Sequence, residues 1–132
     1  MSRLRSLLTH PVHLGLGATA LPQPEMTGME WYEAYAERVA ADGAEGRLVS
    51  MYDFDADWDN WEMHPRGDEL VVCLEGEITL HQEMPDGSRS SVTLGPGDYA
   101  VNAPGVWHTA DVAGQARALF ITAGEGTAHR PR

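Results

Sequence analysis

The chain has 132 residues, nine basic against 20 acidic, and a formal charge of −11. So acidic a surface lacks the cationic footprint that nucleic acid or an anionic membrane requires, and no apolar run is long enough to span a bilayer. All nine basic residues are arginines, and the single cysteine, Cys73, excludes an intrachain disulfide. The length is that of one domain able to bury its own core.

Residues 1–45 read as an N-terminal arm followed by a helix. Met1–Leu8 carries arginines before leucines, but Thr9-His10-Pro11 ends the apolar run too early for a secretory leader, so a cytoplasmic location is expected. Residues 1–28 are punctuated by Pro and Gly, with one short strand predicted near Val12–Leu16. Over Met29–Asp42, the residues Trp31, Tyr35 and Val39 recur at helical spacing among Glu and Arg, and Gly43 ends the helix. This helix is expected to pack on the outside of the main domain or on a partner subunit.

From residue 46 the period changes to that of strands. Strands are predicted at 47–54, 58–64, 69–75, 77–83, 89–94, 99–102, 106–112 and 116–122. Turns fall at Pro65–Asp68, Glu75-Gly76, Pro85–Ser88, Gly95–Asp98 and Ala113-Gly114. Short strands with regular turns give an all-β sandwich or barrel over residues 46–122. Residues 123–132 read as a frayed tail.

The chemistry concentrates in Trp61-Glu62-Met63-His64-Pro65-Arg66-Gly67-Asp68-Glu69, followed by Gly76. Glu62 and His64 are two apart on a strand and share a face. Pro65–Asp68 can turn the chain back and bring Glu69 beside His64. A second piece, Gly95-Pro96-Gly97-Asp98 through Pro104-Gly105-Val106-Trp107-His108, offers another imidazole. Two carboxylates and two imidazoles on neighbouring strands make a divalent-metal donor set suited to manganese, iron or zinc, with nickel possible.

The first piece resembles the first conserved motif of the cupin family, in which two closely spaced histidines precede a glutamate and a glycine. The second resembles the later cupin motif, with Gly97, Gly105 and His108 at matching spacing. The resemblance covers roughly residues 46–122. It implies a double-stranded β-helix (jelly-roll) barrel with one N-terminal helix, and a divalent ion held by Glu62, His64, Glu69 and His108. Three positions depart from the family pattern. Glu62 stands where a histidine is usual, Ala103-Pro104 shifts a proline by one residue, and Val112 replaces an asparagine. Glu62 is therefore open to three roles: fourth ligand, general base beside a three-ligand ion, or simply a pocket acid.

By strand parity Asn60, Val106, Ala110 and Val112 share the face of the site, whereas Trp61, Met63 and Trp107 face away and pack elsewhere. Trp58 and Tyr99 are candidates for the pocket edge, and Cys73 reads as a small core hydrophobe. His10, His13, His81 and His129 read as surface histidines, and Met26, Met29, Met51 and Met84 as gap-filling hydrophobes. The resemblance implies either a small-molecule metalloenzyme of dioxygenase, isomerase or decarboxylase type, or a non-catalytic ligand-binding or sensor module, with or without metal. A homodimer is expected, because a single small barrel leaves sheet edges to cover.

Overall fold

The structure, a computed structural model, describes residues 4–132, so the first three residues of the leader reading lie outside the described residues. Eleven strands and one α-helix follow in the order β1 (Val12–Gly15), β2 (Thr19–Pro22), α1 (Met29–Val39), β3 (Arg47–Phe54), β4 (Asn60–Met63), β5 (Glu69–Gly76), β6 (Ile78–Glu83), β7 (Arg89–Leu94), β8 (Tyr99–Asn102), β9 (Trp107–Asp111), β10 (Ala116–Thr122) and β11 (Ala128–Pro131). The strands form a six-stranded sheet, β2-β1-β3-β10-β5-β8, and a five-stranded sheet, β11-β4-β9-β6-β7. Every pairing is antiparallel, and each sheet keeps two free edges, so the sheets do not close on themselves. No described helix is long and apolar enough to cross a membrane.

Alternation along the strands explains why the sheets stack. On β5, Glu69, Val71 and Cys73 are buried while Leu70 and Val72 are half-buried on the other face; on β10, Ala116, Ala118 and Phe120 are buried in the same manner. With Ile78, Leu94, Ala110 and Val112 from the facing sheet they form one core, against which Tyr52, Phe54, Trp58 and Ala100 pack. Small alanines on β10 opposite large side chains let the two layers interdigitate. Burying a side chain such as Phe120 or Ile78 stabilises the fold by about 1.5–3 kcal/mol.

The sequence prediction matches the structure over β3 and β5–β10 and departs from it at both ends. The arm supplies two strands, not one, and β1 extends the larger sheet by pairing with β3. The helix stops at Val39, and a 3-10 segment, Ala40–Glu45, continues to β3 with Gly43 at φ 59°. The predicted strand 58–64 begins only at Asn60, because Asp57 bonds the Val112 amide and the Trp58 amide bonds the Ala110 carbonyl, which ties this segment down as a loop.

The C-terminal residues are not frayed. β11 pairs with β4 in the register Ala128–Met63, His129–Glu62, Arg130–Trp61 and Pro131–Asn60. Arg130 lies over Trp61 and Trp107, at 5.2 and 4.5 Å from the ring centroids, and its guanidinium also bonds Glu83. Cation–π contacts and an ion pair on one side chain anchor a strand too short to be called from its own pattern.

His13, read as a surface residue, is fully buried. Its Nδ1 lies 2.6 Å from the Tyr35 hydroxyl and its Nε2 2.6 Å from Asp42 Oδ2. Because His13 faces Leu48 across the β1–β3 pairing, this contact holds α1 on the inner side of the sheet extension. Trp31, buried and stacked on Tyr35, completes the attachment.

Gly76 closes the first motif for a steric reason. Its φ is 73°, and a Cβ there would run into the Gln115 carbonyl, just ahead of the neighbouring strand β10. Gly87, at φ 86°, has open space around it. Gly76→Ala is expected to lower stability by more than about 2 kcal/mol, and Gly87→Ala by about 1 kcal/mol, in urea unfolding. Equal losses would show that strand crowding at residue 76 is not what selects glycine.

Candidate metal centre

The two motif pieces meet because of the sheet topology. β4 belongs to the five-stranded sheet and β5 to the six-stranded one, so the turn after His64 carries the chain from one layer to the other. Glu62 is the register partner of His108 on β9, and Glu69 opens β5 between Thr122 of β10 and Asn102 of β8. Four ionisable side chains thus arrive from three strands: Glu62 on β4 with His64 just past its end, Glu69 on β5 and His108 on β9.

Glu69 lies at the centre of the group. Its Oε2 is 3.1 Å from His64 Nε2 and its Oε1 is 3.1 Å from His108 Nε2. Glu62 Oε2 stands 3.9 Å from His64 Nε2 and 3.8 Å from His108 Nε2, on the more open side, with its side chain one-third exposed. Glu62, His64 and His108 present ligand atoms within 4.8 Å of one another, so this group could hold a metal ion. His64 and His108 are buried, yet neither Nε2 has an aligned hydrogen bond despite the nearby Glu69 oxygens. Two buried imidazole nitrogens facing two carboxylates across 3.1–3.9 Å fit a shared cation.

The supporting bonds prepare these donors. The Thr127 hydroxyl donates to the Gly124 carbonyl at 2.8 Å, so its lone pair accepts from His64 Nδ1–H, also at 2.8 Å. That fixes the tautomer and leaves the His64 Nε2 lone pair toward the site. Asn102 Nδ2 donates to Glu69 Oε1 at 3.1 Å, Thr122 Oγ1 donates to Glu69 Oε2 at 2.6 Å, and Gln82 orients Asn102. Only His108 Nδ1 lacks such a partner, although the Trp58 ring packs edge-on against the imidazole.

Burial alone would push the Glu69 carboxyl up, but His108 and His64 outweigh it and hold it well below the usual carboxylate range. Burial likewise opposes charge on His108, yet the Glu62 and Glu69 carboxylates win and raise its pKa to about 9. In the ion-free protein the stability contributed by His108 is therefore full below about pH 6.5, its ordinary value, and is lost as pH rises through about 9.

A family profile for the Cupin domain (Cupin_2) matches residues 52–124. The chain belongs to the cupin family. No curated protein shows significant sequence similarity to this cupin. Among solved structures, an oxalate oxidase in complex with the substrate analogue glycolate is 18% identical, with TM-score 0.55 over 62% of this chain and 45% of that one. A hydroquinone 1,2-dioxygenase from Sphingomonas sp. TTNP3 with 4-hydroxybenzoate bound is 15% identical, with TM-score 0.50 over 58% of this chain and 59% of that one. The hydroxypropylphosphonic acid epoxidase from S. wedmorenis, in complex with fosfomycin, is 20% identical, with TM-score 0.50 over 58% of this chain and 43% of that one. This cupin thus spans less than two thirds of each of these chains, and at these identities the likeness is one of fold.

Several sequence readings are revised by the site. His129 is exposed, as read, but it sits on β11 and not in a frayed tail, with Nε2 3.5 Å from Glu62 Oε1, so Glu62 has three imidazoles within 4.0 Å. Asn60 is exposed and bonds Asp59, and Tyr99 is 66% exposed on the outer face, so neither lines the site. Trp58 does face His108. Thr122, Thr127, Asn102 and Gln82 went unnoticed in the sequence, where nothing marks a polar strand residue as aimed at a carboxylate or imidazole. The hollow lined by Asp53, Glu75 and Arg117 lies at the other end of β5, and its arginine is paired with Asp53.

An ion held by His108 would have to displace its proton. Affinity for manganese(II) or cobalt(II) is therefore expected to rise about tenfold per pH unit from pH 6.5 until it levels near pH 9, with proton release seen as a buffer-dependent binding enthalpy. A pH-independent affinity over that range would contradict the assignment of His108.

Proposed function

We propose that this cupin binds a divalent ion through His64, His108, Glu62 and Glu69 and acts there on a small molecule. The observation that carries the reading is the pair of buried imidazole Nε2 atoms, both facing carboxylates and both without an aligned hydrogen bond. The two-imidazole, two-carboxylate set favours manganese, iron or zinc, with nickel possible. A bound ion of this kind polarises a carbonyl or hydroxyl, or activates water. Glu69, gripped by Thr122 and Asn102, acts as a fixed donor; Glu62, the most exposed of the four, completes the set or receives a proton from the bound molecule. Buried Val71, Ala110 and Phe120 fill the interior of the sandwich, so the bound molecule is small and reached from the Glu62 side.

A non-catalytic sensor or ligand-binding role is the second reading, supported by Glu62 being the sole exposed acid–base group of the quartet. The two sheets are read as the halves of the jelly-roll architecture, with residues 46–122 as the cupin unit and the compartment as the cytoplasm. Manganese, iron or zinc is expected at near one equivalent per chain in protein purified without chelator or affinity nickel, and to be lost in His64→Ala. Protein that carries no metal and takes up none from added manganese, iron, zinc or nickel would sink the reading.

We further propose a homodimer through the outer face of the six-stranded sheet. Leu74, Tyr99 and Val101 are exposed there beside half-buried Leu70, Val72, Leu119 and Ile121, with no charge among them. On a chain with charge −11, this uncharged patch, beside the paired Arg117 and Asp53, is where a second copy can approach without repulsion. Light scattering after size exclusion is expected to give a dimer for wild type and a monomer for Val101→Asp; a monomeric wild type would contradict it.

A further inference from the structure

The strand β11 lies outside the matched cupin segment, yet this end of the chain reaches both ligand candidates of the first motif. Thr127, just ahead of β11, bonds His64 Nδ1, and His129 on it stands with Nε2 3.5 Å from Glu62 Oε1. Thr127 and His129 are spaced as Glu62 and His64 are, and His129 is the register partner of Glu62 across the antiparallel pairing. Register partners on neighbouring strands share a face, and so do alternate residues of one strand. His129 therefore falls on the face of Glu62. Arg130 turns to the opposite face, over Trp61 and Trp107.

The contacts that hold β11 in place lie off the site. Arg130 bonds Glu83 at 2.6 Å, Arg132 pairs with Asp111 at 2.7 Å, and Arg132 also donates to the Trp58 carbonyl. The His129 side chain is 46% exposed, so its removal leaves that anchoring standing. The two oxygens of Glu62 are divided between its neighbours. Oε2 is the one nearest His64 and His108, at 3.9 and 3.8 Å, whereas Oε1 is the one nearest His129. A carboxylate can bind an ion through one oxygen or through both. An imidazole beside Oε1 competes for that oxygen and leaves Oε2 facing the space between His64 and His108.

We infer that His129 is a positioning residue of the metal centre: it engages Glu62 Oε1 and so makes Glu62 a one-oxygen donor through Oε2. The inference rests on the metal-centre reading with Glu62 as a ligand. It also accounts for what a glutamate needs at this position. A histidine offers an ion one ring nitrogen, whereas a glutamate side chain one-third exposed offers two equivalent oxygens and needs a partner that distinguishes them. His129 is placed to be that partner, as Thr127 is for His64.

The test is a cobalt(II) titration of the full-length protein, followed by visible absorption, for wild type, His129→Ala and His129→Gln. Alanine is expected to weaken cobalt binding about tenfold. It should also change the spectrum, because Glu62 is then free to bind through both oxygens, and the added oxygen weakens the cobalt bands. Glutamine, whose amide N–H sits where the imidazole Nε2–H does, is expected to restore both affinity and spectrum. The thermal midpoint of the ion-free protein should stay at the wild-type value in both variants. A wild-type spectrum and affinity in His129→Ala overturns the positioning role while leaving the metal centre standing. So does a His129→Gln that behaves like alanine, which would make the imidazole itself a donor to the ion. Failure of wild type to bind cobalt removes the metal centre, and this inference with it.

Discussion

The fold and the site both depend on one buried carboxylate. Glu69 is 3% exposed and lies between two imidazoles, an arrangement that costs several kcal/mol in desolvation unless every oxygen is satisfied. The structure meets that requirement from both sides. Thr122 and Asn102 donate from the strands flanking β5, and His64 and His108 stand opposite on the other sheet. The contact therefore ties the two layers together at the end where the interior opens, while Val71, Ile78, Ala110 and Phe120 close the rest with apolar packing. A site built in this way is stiff, because moving any donor leaves a buried charge partly unpaired.

The parts outside the matched cupin segment complete the site's surroundings. β11 returns the chain to β4 and sets Thr127 against His64 and His129 against Glu62. At the other end of the chain, β1 widens the larger sheet, and the His13–Asp42–Tyr35 contact seats α1 on the extension so that Tyr32 reaches Tyr52. Glu62, the position that departs from the family's usual histidine, is the group that β11 touches through His129. A carboxylate there brings one more negative charge beside two imidazoles, and an extra imidazole on β11 lies next to it.

Much of the central sheet structure was legible because its strands alternate cleanly and its turns carry Gly, Pro and Asp. Arg47–Phe54 and Arg89–Leu94 begin and end where the residue pattern changes. The short elements were not legible for physical reasons. Ala128–Pro131 has no alternation of its own and is held by Arg130 against two tryptophans, a contact between residues distant in sequence. His13 stands among Gly and Pro residues that suggest an arm, and its burial follows from Asp42 and Tyr35, which only the fold brings near. Glu62, His64, Glu69 and His108 stood out through motif spacing. Their hydrogen-bonding partners did not, since Thr122, Thr127 and Asn102 look like any polar residue of a strand or loop.

The most direct test of the central claim is anomalous diffraction from crystals soaked in manganese or cobalt, measured at the absorption edge of the metal. The account predicts one principal peak about 2.0–2.2 Å from His64 Nε2 and His108 Nε2, with carboxylate oxygen from Glu62 or Glu69 in the same shell. A principal peak elsewhere, such as in the hollow beside Asp53 and Glu75, or no peak between the two imidazoles, would contradict it.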